Sequence, residues 1–272
     1  MIYRPETRRF AQDGMQHQTF RSGDREIAYY DVAPADPAEA PPVLLIHGFA
    51  STAHVNWIDT SWSEALTQAG RRVLMLDNLG HGHSGKPHDP AAYTTDLMAQ
   101  DAVNLLDHLG IRQADVVGYS MGARITARLA LDHPERVVHA VLSGLGINMV
   151  HGLGGTRRIA EALLADDAEA VTDPVGRPFR VFADRNGADR KALAACIQAT
   201  RATIAVEELA GMTVPVLVAV GTRDEVSGSG PELAALIPGA RHMEIPKRDH
   251  MRAVGDPVHK QGVIAYLKGE GV

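Results

Sequence analysis

The chain has 272 residues, of which 45% are hydrophobic and 22% charged, and its formal net charge is −6 at pH 7. This composition is that of an ordinary globular protein, not of a disordered or fibrous one, and the length fits one α/β domain built on a single sheet. The negative charge would repel a polyanion, so nucleic acid is not an expected partner. The single cysteine, Cys196, excludes an intramolecular disulfide framework and fits a reducing compartment; we expect it to pack inside a helix.

No targeting or membrane-spanning segment is predicted. Met1 to Glu6 lack the basic flank and following apolar run of a secretory signal. No uninterrupted apolar stretch reaches the roughly 18 residues that a membrane-spanning helix needs. We therefore expect a cytoplasmic protein that does not bind a membrane. The sequence does not indicate an oligomeric state.

The first predicted element is an antiparallel hairpin, formed by Gln18 to Ser22 and Glu26 to Val32 around Gly23-Asp24. An exposed loop rich in Pro and Ala, Ala33 to Pro42, follows it. Beyond this loop, short continuous apolar runs recur, which is the pattern of strands buried on both faces of a parallel sheet. These runs are Val43 to Ile46, Val73 to Leu76, Val116-Val117, Val137 to Leu142, Val214 to Val220 and His242 to Ile245.

Amphipathic helices are predicted between these strands. One apolar stripe runs from Met98 to Leu109 at steps of three and four, with Thr94 or Thr95 as its cap and Gly110 as its stop. Because strands alternate with helices, the fold class is α/β, with a mostly parallel sheet covered by helices on both faces. The other well-marked helices are Met121 to Asp132 and Pro257 to Lys268.

One connection is too long for a simple crossover. More than sixty residues, from Leu145 to Met212, separate two predicted strands where one helix and two short loops would suffice. We therefore predict a core of residues 1–144 and 213–272 with a small helical cap over residues 145–212. The functional interpretation of the cap is a lid over a pocket, and the alternative is a packed helical excursion with no part in binding.

The segment Gly118-Tyr119-Ser120-Met121-Gly122 lies between a predicted strand and a predicted helix, which is the setting of a nucleophile elbow. Glycine at both ends removes side chains that would collide in so tight a turn. Ser120 is therefore the candidate nucleophile, and the Met121 amide at the helix start is a candidate donor to an oxyanion. The alternative is a glycine-bracketed helix cap.

A serine hydroxyl is too weakly acidic to attack unaided, so it needs a base and an acid that orients the base. After an elbow of this kind, the acid and then the histidine follow along the chain. His250 is the candidate base, because His242 falls within a predicted strand and His259 within a predicted helix, whereas His250 belongs to a predicted loop.

Asp224 is the candidate acid, because it follows the strand Val214 to Val220 at its carboxyl end, where open sheets place their sites. Glu225 and Asp249 are alternatives. Glu225 is the neighbour of Asp224, whereas Asp249 adjoins the histidine but would have to turn back on its own loop. A turn-forming role is the other interpretation of Asp224.

A second oxyanion donor is needed, and we predict the Phe49 amide in His47-Gly48-Phe49-Ala50, after the strand Val43 to Ile46. His47 is expected to brace this loop. His81 and His83 resemble a metal pair, but no zinc-type spacing of acids and cysteines accompanies them, so we predict no metal site.

Four segments together resemble the α/β-hydrolase superfamily, and the similarity covers nearly the whole chain. The resemblance implies an eight-stranded, mostly parallel sheet, a cap after the sixth strand, and no metal or organic cofactor. One departure is Asn78-Leu79, where the family more often has Asp-x-Arg-Gly-x-Gly-x-Ser; it affects loop packing and not the three candidate side chains. The segments are His47-Gly48-Phe49, Asp77 to Ser84, Gly118 to Gly122 and His133 to Val137.

The expected activity is that of a serine hydrolase acting on a small-molecule substrate. We expect it to cleave carboxylic esters of small or medium acyl groups through an acyl-enzyme formed on Ser120. Hydrolases of carbon–carbon bonds and perhydrolases of the haloperoxidase type look similar at the level of these motifs and are the alternative. A non-catalytic receptor or scaffold is less favoured, because all three candidate side chains are present.

Overall fold

A computed structural model describes residues 15–152, 154–200 and 202–271. The absence of a secretory signal at Met1 to Glu6 is a prediction that lies outside these residues. The described strands form one sheet of eight, in the order β1-β2-β4-β3-β5-β6-β7-β8. Their bounds are β1 Gln18–Ser22, β2 Arg25–Val32, β3 Val43–Ile46, β4 Val73–Leu76, β5 Ala114–Tyr119, β6 Val137–Ser143, β7 Val216–Gly221 and β8 Arg241–Ile245.

The sheet is mostly parallel, as predicted. Only β1 with β2 and β2 with β4 pair in antiparallel fashion among the described strands. All pairings from β4 to β8 are parallel; for example, Leu45 of β3 lies opposite Met75 of β4 on one side and Val117 of β5 on the other. The α/β fold class is therefore confirmed.

Helices cover both faces of the sheet, which explains why its central strands read as unbroken apolar runs. Alternate residues of β3 point to opposite faces, so Leu44 and Ile46 join one buried cluster while Val43 and Leu45 join the other. The described α-helices are α1 Trp62–Gln68, α2 Thr95–His108, α3 Met121–Asp132, α4 Asn148–His151, α5 Thr156–Leu164, α6 Gly176–Arg185, α7 Arg190–Ala199, α8 Val206–Ala210, α9 Gly230–Ala235, α10 His250–Ala253 and α11 Pro257–Leu267.

Two predicted boundaries are refined by local chemistry. Thr94, not Thr95, caps α2, because its hydroxyl accepts a hydrogen bond from the Leu97 amide. Strand β7 begins at Val216, two residues after the predicted start, and Pro215 just before it has no amide to donate to a ladder.

The long connection between β6 and β7 carries the helices α4 to α8. The buried Arg124 guanidinium of α3 binds this connection by donating to the carbonyls of Asn148, Met149 and Ala202. One side chain of the elbow helix thus holds the connection near both its beginning and its end. In the part of the chain that the structure describes, no helix is long and apolar enough to cross a bilayer.

Candidate active site

Ser120 occupies a strained turn between β5 and α3. Its φ of 56° and ψ of −110° lie in a region that non-glycine residues rarely adopt. The turn is compact: a Cβ on Gly122 would lie 1.9 Å from the Ile46 carbonyl oxygen, and one on Gly118 would lie 2.1 Å from the Gly122 oxygen. Glycine is therefore required at both positions, and the turn holds the serine at the carboxyl edge of the sheet.

His250 lies next to this serine. Its Nε2 is 3.0 Å from the Ser120 Oγ, although the two residues are 130 positions apart in the chain. The prediction that His250 belongs to a loop is wrong, since it is the first residue of the short helix α10. Asp249 caps that helix by accepting hydrogen bonds from the amides of Met251 and Arg252, and this cap holds the start of the helix in place.

Asp224 completes the arrangement. Its Oδ2 is 2.9 Å from the His250 Nδ1, and its side chain is buried. Burial raises the pKa of the Asp224 carboxyl, but hydrogen bonds from His250 and Ser227 outweigh burial and hold the pKa below its ordinary value. The structure thus brings Ser120 within hydrogen-bonding distance of His250, and His250 within hydrogen-bonding distance of Asp224.

The alternative acids and histidines take other places. Glu225 is exposed to solvent, and Asp249 is occupied as a helix cap. His259 is buried on α11, with its Nε2 2.8 Å from the Ser143 Oγ, and His242 lies within β8.

Two residues at this site were missed by the sequence analysis. The Ser227 hydroxyl donates to the Asp224 Oδ2 over 2.6 Å, and the amides of Val226 and Ser227 donate to Oδ1, each over 3.0 Å. The Tyr119 hydroxyl donates to the His250 carbonyl over 2.5 Å. An aspartate followed two and three residues later by free amides is a known turn pattern, so Ser227 had a local signal; the contact of Tyr119 had none.

The loop after β3 runs beside the nucleophile elbow. A Cβ on Gly48 would lie 3.4 Å from the Ser120 Cβ. The amides on either side of Phe49 are held by side chains, since Gly48 donates to the Asn56 Oδ1 over 2.9 Å and Ala50 donates to the His81 Nε2 over 3.1 Å. These bonds fix the backbone around the Phe49 amide.

The other predicted oxyanion donor, the Met121 amide, belongs to the first residue of α3. Its amide is one of the first four in the helix, which have no acceptor within the helix. The positive end of the α3 dipole therefore lies directly beside the Ser120 side chain.

Two buried histidines brace these loops in the neutral form. His47 accepts a hydrogen bond from the Asn78 amide, and His81 accepts one from the Ala50 amide. Burial lowers the pKa of His47 to about 4 and that of His81 to about 3. The Asn78 side chain, at the position where the chain departs from the usual motif, donates to the His47 carbonyl over 3.0 Å.

His81 and His83, which resembled a metal pair in the sequence, have different surroundings. The His83 ring is exposed and stacks on the His17 ring at a centroid distance of 3.9 Å, whereas His81 is buried. Within residues 15–152, 154–200 and 202–271, no three histidine, cysteine or acidic side chains are grouped so that they could hold a metal ion.

The helices of the long connection between β6 and β7 pack against the loop after β3 and against the start of α3. The Phe179 ring of α6 lies 5.8 Å from the Phe49 ring, and the Asn186 amide group donates to the Ala50 carbonyl over 3.4 Å. From α7, the buried Cys196 thiol lies 3.9 Å from the Met121 sulfur. The connection therefore contacts both segments that carry the predicted oxyanion donors.

Comparison with known proteins identifies a family. The alpha/beta hydrolase fold family matches residues 41–181. A hydrolase from Pseudomonas aeruginosa PA01 superposes with a TM-score of 0.76 and 28% identity, covering 95% of this chain and 99% of that one. The enol-lactonase of Burkholderia xenovorans LB400 superposes with a TM-score of 0.77 and 25% identity, covering 92% and 100%.

One similar curated protein is the 2-hydroxymuconate semialdehyde hydrolase of Pseudomonas sp. strain CF600, with 44% identity over 105 residues. The matched stretch covers 38% of this chain and only 36% of that relative's length. Similarity to this relative is therefore strong but local.

Proposed function

Since the chain belongs to the α/β-hydrolase fold family, we propose that it is a serine hydrolase that cleaves carboxylic esters of small or medium acyl groups. The observation that carries the proposal is the continuous hydrogen-bonded chain from the Ser120 Oγ through His250 to Asp224, with distances of 3.0 and 2.9 Å. A nucleophile, a base and an orienting acid in this geometry are the requirements of acyl transfer.

In the proposed mechanism, the Ser120 oxygen attacks the ester carbonyl carbon while the His250 Nε2 accepts the hydroxyl proton. The amides of Phe49 and Met121 stabilise the oxyanion of the tetrahedral intermediate. The intermediate collapses, the C–O bond breaks, and the imidazolium returns its proton to the leaving alcohol. Water then attacks the acyl-enzyme by the same route, with Asp224 holding the Nδ1 proton of the ring throughout.

Full-length similarity to the enol-lactonase supports an ester substrate, because a lactone is a cyclic ester. The three side chains act on the acyl carbon and do not select the group that leaves. Specificity is expected to depend on residues 145–212, because α6 and α7 of this segment contact the Phe49 and Met121 segments.

Carbon–carbon bond hydrolysis is the second candidate. The 44% identity to a 2-hydroxymuconate semialdehyde hydrolase favours it, over a stretch of 105 residues. In that reaction the group that leaves the acyl carbon is a carbon atom, so a proton must be delivered to carbon and not to an alkoxide. The two candidates share the site and differ in the leaving group.

The test has two stages. Labelling with a serine-directed fluorophosphonate, followed by peptide mass spectrometry, should modify Ser120 and should be lost in Ser120→Ala. Turnover is then compared between p-nitrophenyl esters of two to eight acyl carbons and 2-hydroxymuconate semialdehyde, whose consumption is followed by its absorbance.

Ester turnover that exceeds semialdehyde turnover in kcat/KM supports the first candidate, and the reverse order supports the second. Absence of labelling at Ser120 in a folded protein would refute both. Tyr119 is the residue before the nucleophile. It should stay unlabelled in both wild type and Ser120→Ala, which checks the specificity of the reagent.

A further inference from the structure

Ser227 is a fully buried serine whose hydroxyl contacts the acid of the site. It donates to the Asp224 Oδ2 over 2.6 Å, and the same oxygen accepts from the His250 Nδ1 at 2.9 Å. The Ser227 amide donates to the other carboxylate oxygen over 3.0 Å. One oxygen of Asp224 is therefore shared between two side-chain donors.

The Ser227 hydroxyl donates to the same Asp224 oxygen as the His250 ring, and it does not accept a hydrogen bond from the His250 Nδ1. The Ser227 Oγ is 3.4 Å from the His250 Nδ1, which is longer than the roughly 2.7 to 3.2 Å of an ordinary N–H···O bond. The 2.6 Å contact with the carboxylate is the stronger of the two, so the hydroxyl proton points to Asp224.

A donor on a carboxylate oxygen withdraws negative charge from it. Less charge on Oδ2 means less stabilisation of an imidazolium at His250, and the neutral ring is the form that accepts the Ser120 proton. At the same time the hydroxyl and the amide hold both carboxylate oxygens of Asp224 in one orientation.

We propose that Ser227 is a positioning residue that fixes the Asp224 carboxylate and weakens its pull on the His250 ring, which extends activity toward lower pH. The inference rests on the proposed function of the same site. It assigns no chemical step to Ser227 itself.

The other groups around the ring have different partners. The Tyr119 hydroxyl, at the end of β5, donates to the His250 carbonyl. Burial, and to a lesser extent the negative charges of Asp224 and Asp249, raise the pKa of this hydroxyl, so it stays protonated. Immediately before His250, Asp249 caps α10, with the Arg252 Nε 3.8 Å from its Oδ2.

Two basic groups lie on the elements behind the His250 ring. From α11, His259 lies 6.2 Å from the Tyr119 ring, and burial lowers its pKa to about 4. Arg248, before α10, is paired with Asp256. Among the described side chains, Ser227 and His250 are the hydrogen-bond partners of the Asp224 carboxylate.

The backbone of Ser227 is held independently of its side chain. Its carbonyl accepts from the amides of Gly146 over 2.9 Å and Asn148 over 3.3 Å, at the beginning of the long connection. Removal of the hydroxyl therefore leaves these bonds and the amide bond to Asp224 in place, and we expect Ser227→Ala to fold.

The experiment compares wild type, Ser227→Ala and the matched control Ser229→Ala. Ser229 is a neighbouring serine whose hydroxyl caps α9 and does not touch Asp224. Two properties are measured: the pH profile of kcat/KM with the preferred substrate, and the titration of the His250 ring by NMR in ¹⁵N-histidine-labelled protein, assigned with His250→Asn. In Ser227→Ala, the acid limb of the profile and the ring titration should both move to higher pH by about 0.5 to 1 unit.

Ser229→Ala should leave both properties at their wild-type positions. Reduced kcat in Ser227→Ala with an unmoved ring titration would mean a merely structural role and would overturn the inference, as would a shift to lower pH. If the alanine variant does not fold, Ser227→Cys, which keeps the size but donates weakly, should shift the titration in the same direction by less.

The two proposals fail in different ways. The NMR titration does not require turnover, so it tests the role of Ser227 even if neither substrate class is accepted. Conversely, absence of phosphonate labelling at Ser120 in the wild type refutes the proposed hydrolase without moving the ring titration.

Discussion

At the scale of single residues, the arrangement depends on how completely Asp224 is engaged. One carboxylate oxygen accepts two backbone amides and the other accepts the Ser227 hydroxyl and the His250 ring. A carboxylate held at four points has one orientation, and it keeps the proton of the neutral ring on Nδ1. The Nε2 is then left with a lone pair facing Ser120.

Asp224→Asn tests this orientation. An amide nitrogen placed beside Nδ1 would favour the wrong tautomer, so we expect kcat to fall by about 10⁴-fold while KM and the unfolding midpoint change little. Steady-state kinetics and urea unfolding measure the two properties. The matched control is Asp249→Asn, where asparagine still caps α10 and activity should stay within a few-fold of wild type.

Near-full activity of Asp224→Asn would remove Asp224 from the proposed role. If Glu225→Gln lost activity in the same assay, Glu225 would be assigned as the acid that orients the His250 ring.

At the scale of elements, the elbow is a contact among three of them. The backbone of α3 at Gly122 approaches the end of β3 at Ile46, and the end of β5 at Gly118 approaches α3. The Arg124 guanidinium on the same helix binds the root of the long connection. The position of Ser120 is therefore a property of how β3, β5 and α3 pack, and the connection is anchored to that packing.

Gly122→Ala should be among the most disruptive of all single-methyl additions in this chain. Its Cβ would lie 1.9 Å from a backbone oxygen of β3, so strand and helix must separate, and we expect a loss of about 3 kcal/mol in the free energy of unfolding. Gly154→Ala is the matched control, because a Cβ there meets nothing within 4 Å; its effect should stay within about 0.5 kcal/mol. Urea unfolding followed by circular dichroism measures both, and similar midpoints for the two variants would contradict the packing described for the elbow.

At the scale of the whole molecule, the sheet separates two apolar layers, and three histidines are buried within or beside them. His47, His81 and His259 are each fully enclosed, and burial lowers their pKa values to about 4, about 3 and about 4. In the unfolded chain the same side chains take up protons near pH 6.5. The unfolded state therefore binds more protons than the folded state between these values.

Stability should consequently fall as the pH is lowered from about 6.5 toward about 4. Each of the three histidines contributes a slope of up to about 1.4 kcal/mol per pH unit within this window. Urea unfolding at a series of pH values measures the total slope, and His259→Gln should reduce it by roughly one third of the histidine contribution. His83→Gln, at an exposed position, is the control and should leave the slope unchanged; a flat profile in the wild type between about pH 6.5 and 5 would show that the three rings are not buried in the neutral form.

Local patterns were enough to predict the fold class and the strand–turn–helix that carries Ser120. Strand burial on two faces, helix periodicity and the two glycines of the elbow are all written within a few neighbouring residues, because they answer to backbone geometry and to the removal of apolar surface from water. The strands from β3 to β7 accordingly lie within two residues of their predicted bounds, apart from β5, where only Val116-Val117 was predicted.

The contacts within the site depend on packing between distant segments. His250 meets Ser120 across 130 residues, and the Tyr119 hydroxyl reaches the His250 carbonyl across 131. Its place after a predicted strand favoured Asp224 as the partner of the ring, but only the packing shows that Glu225 points to solvent and that Asp249 caps the helix that His250 begins. Those outcomes follow from which side chains the folded sheet and its connections bring within 3 Å of each other, and hydrogen bonds of that length are specified only in three dimensions.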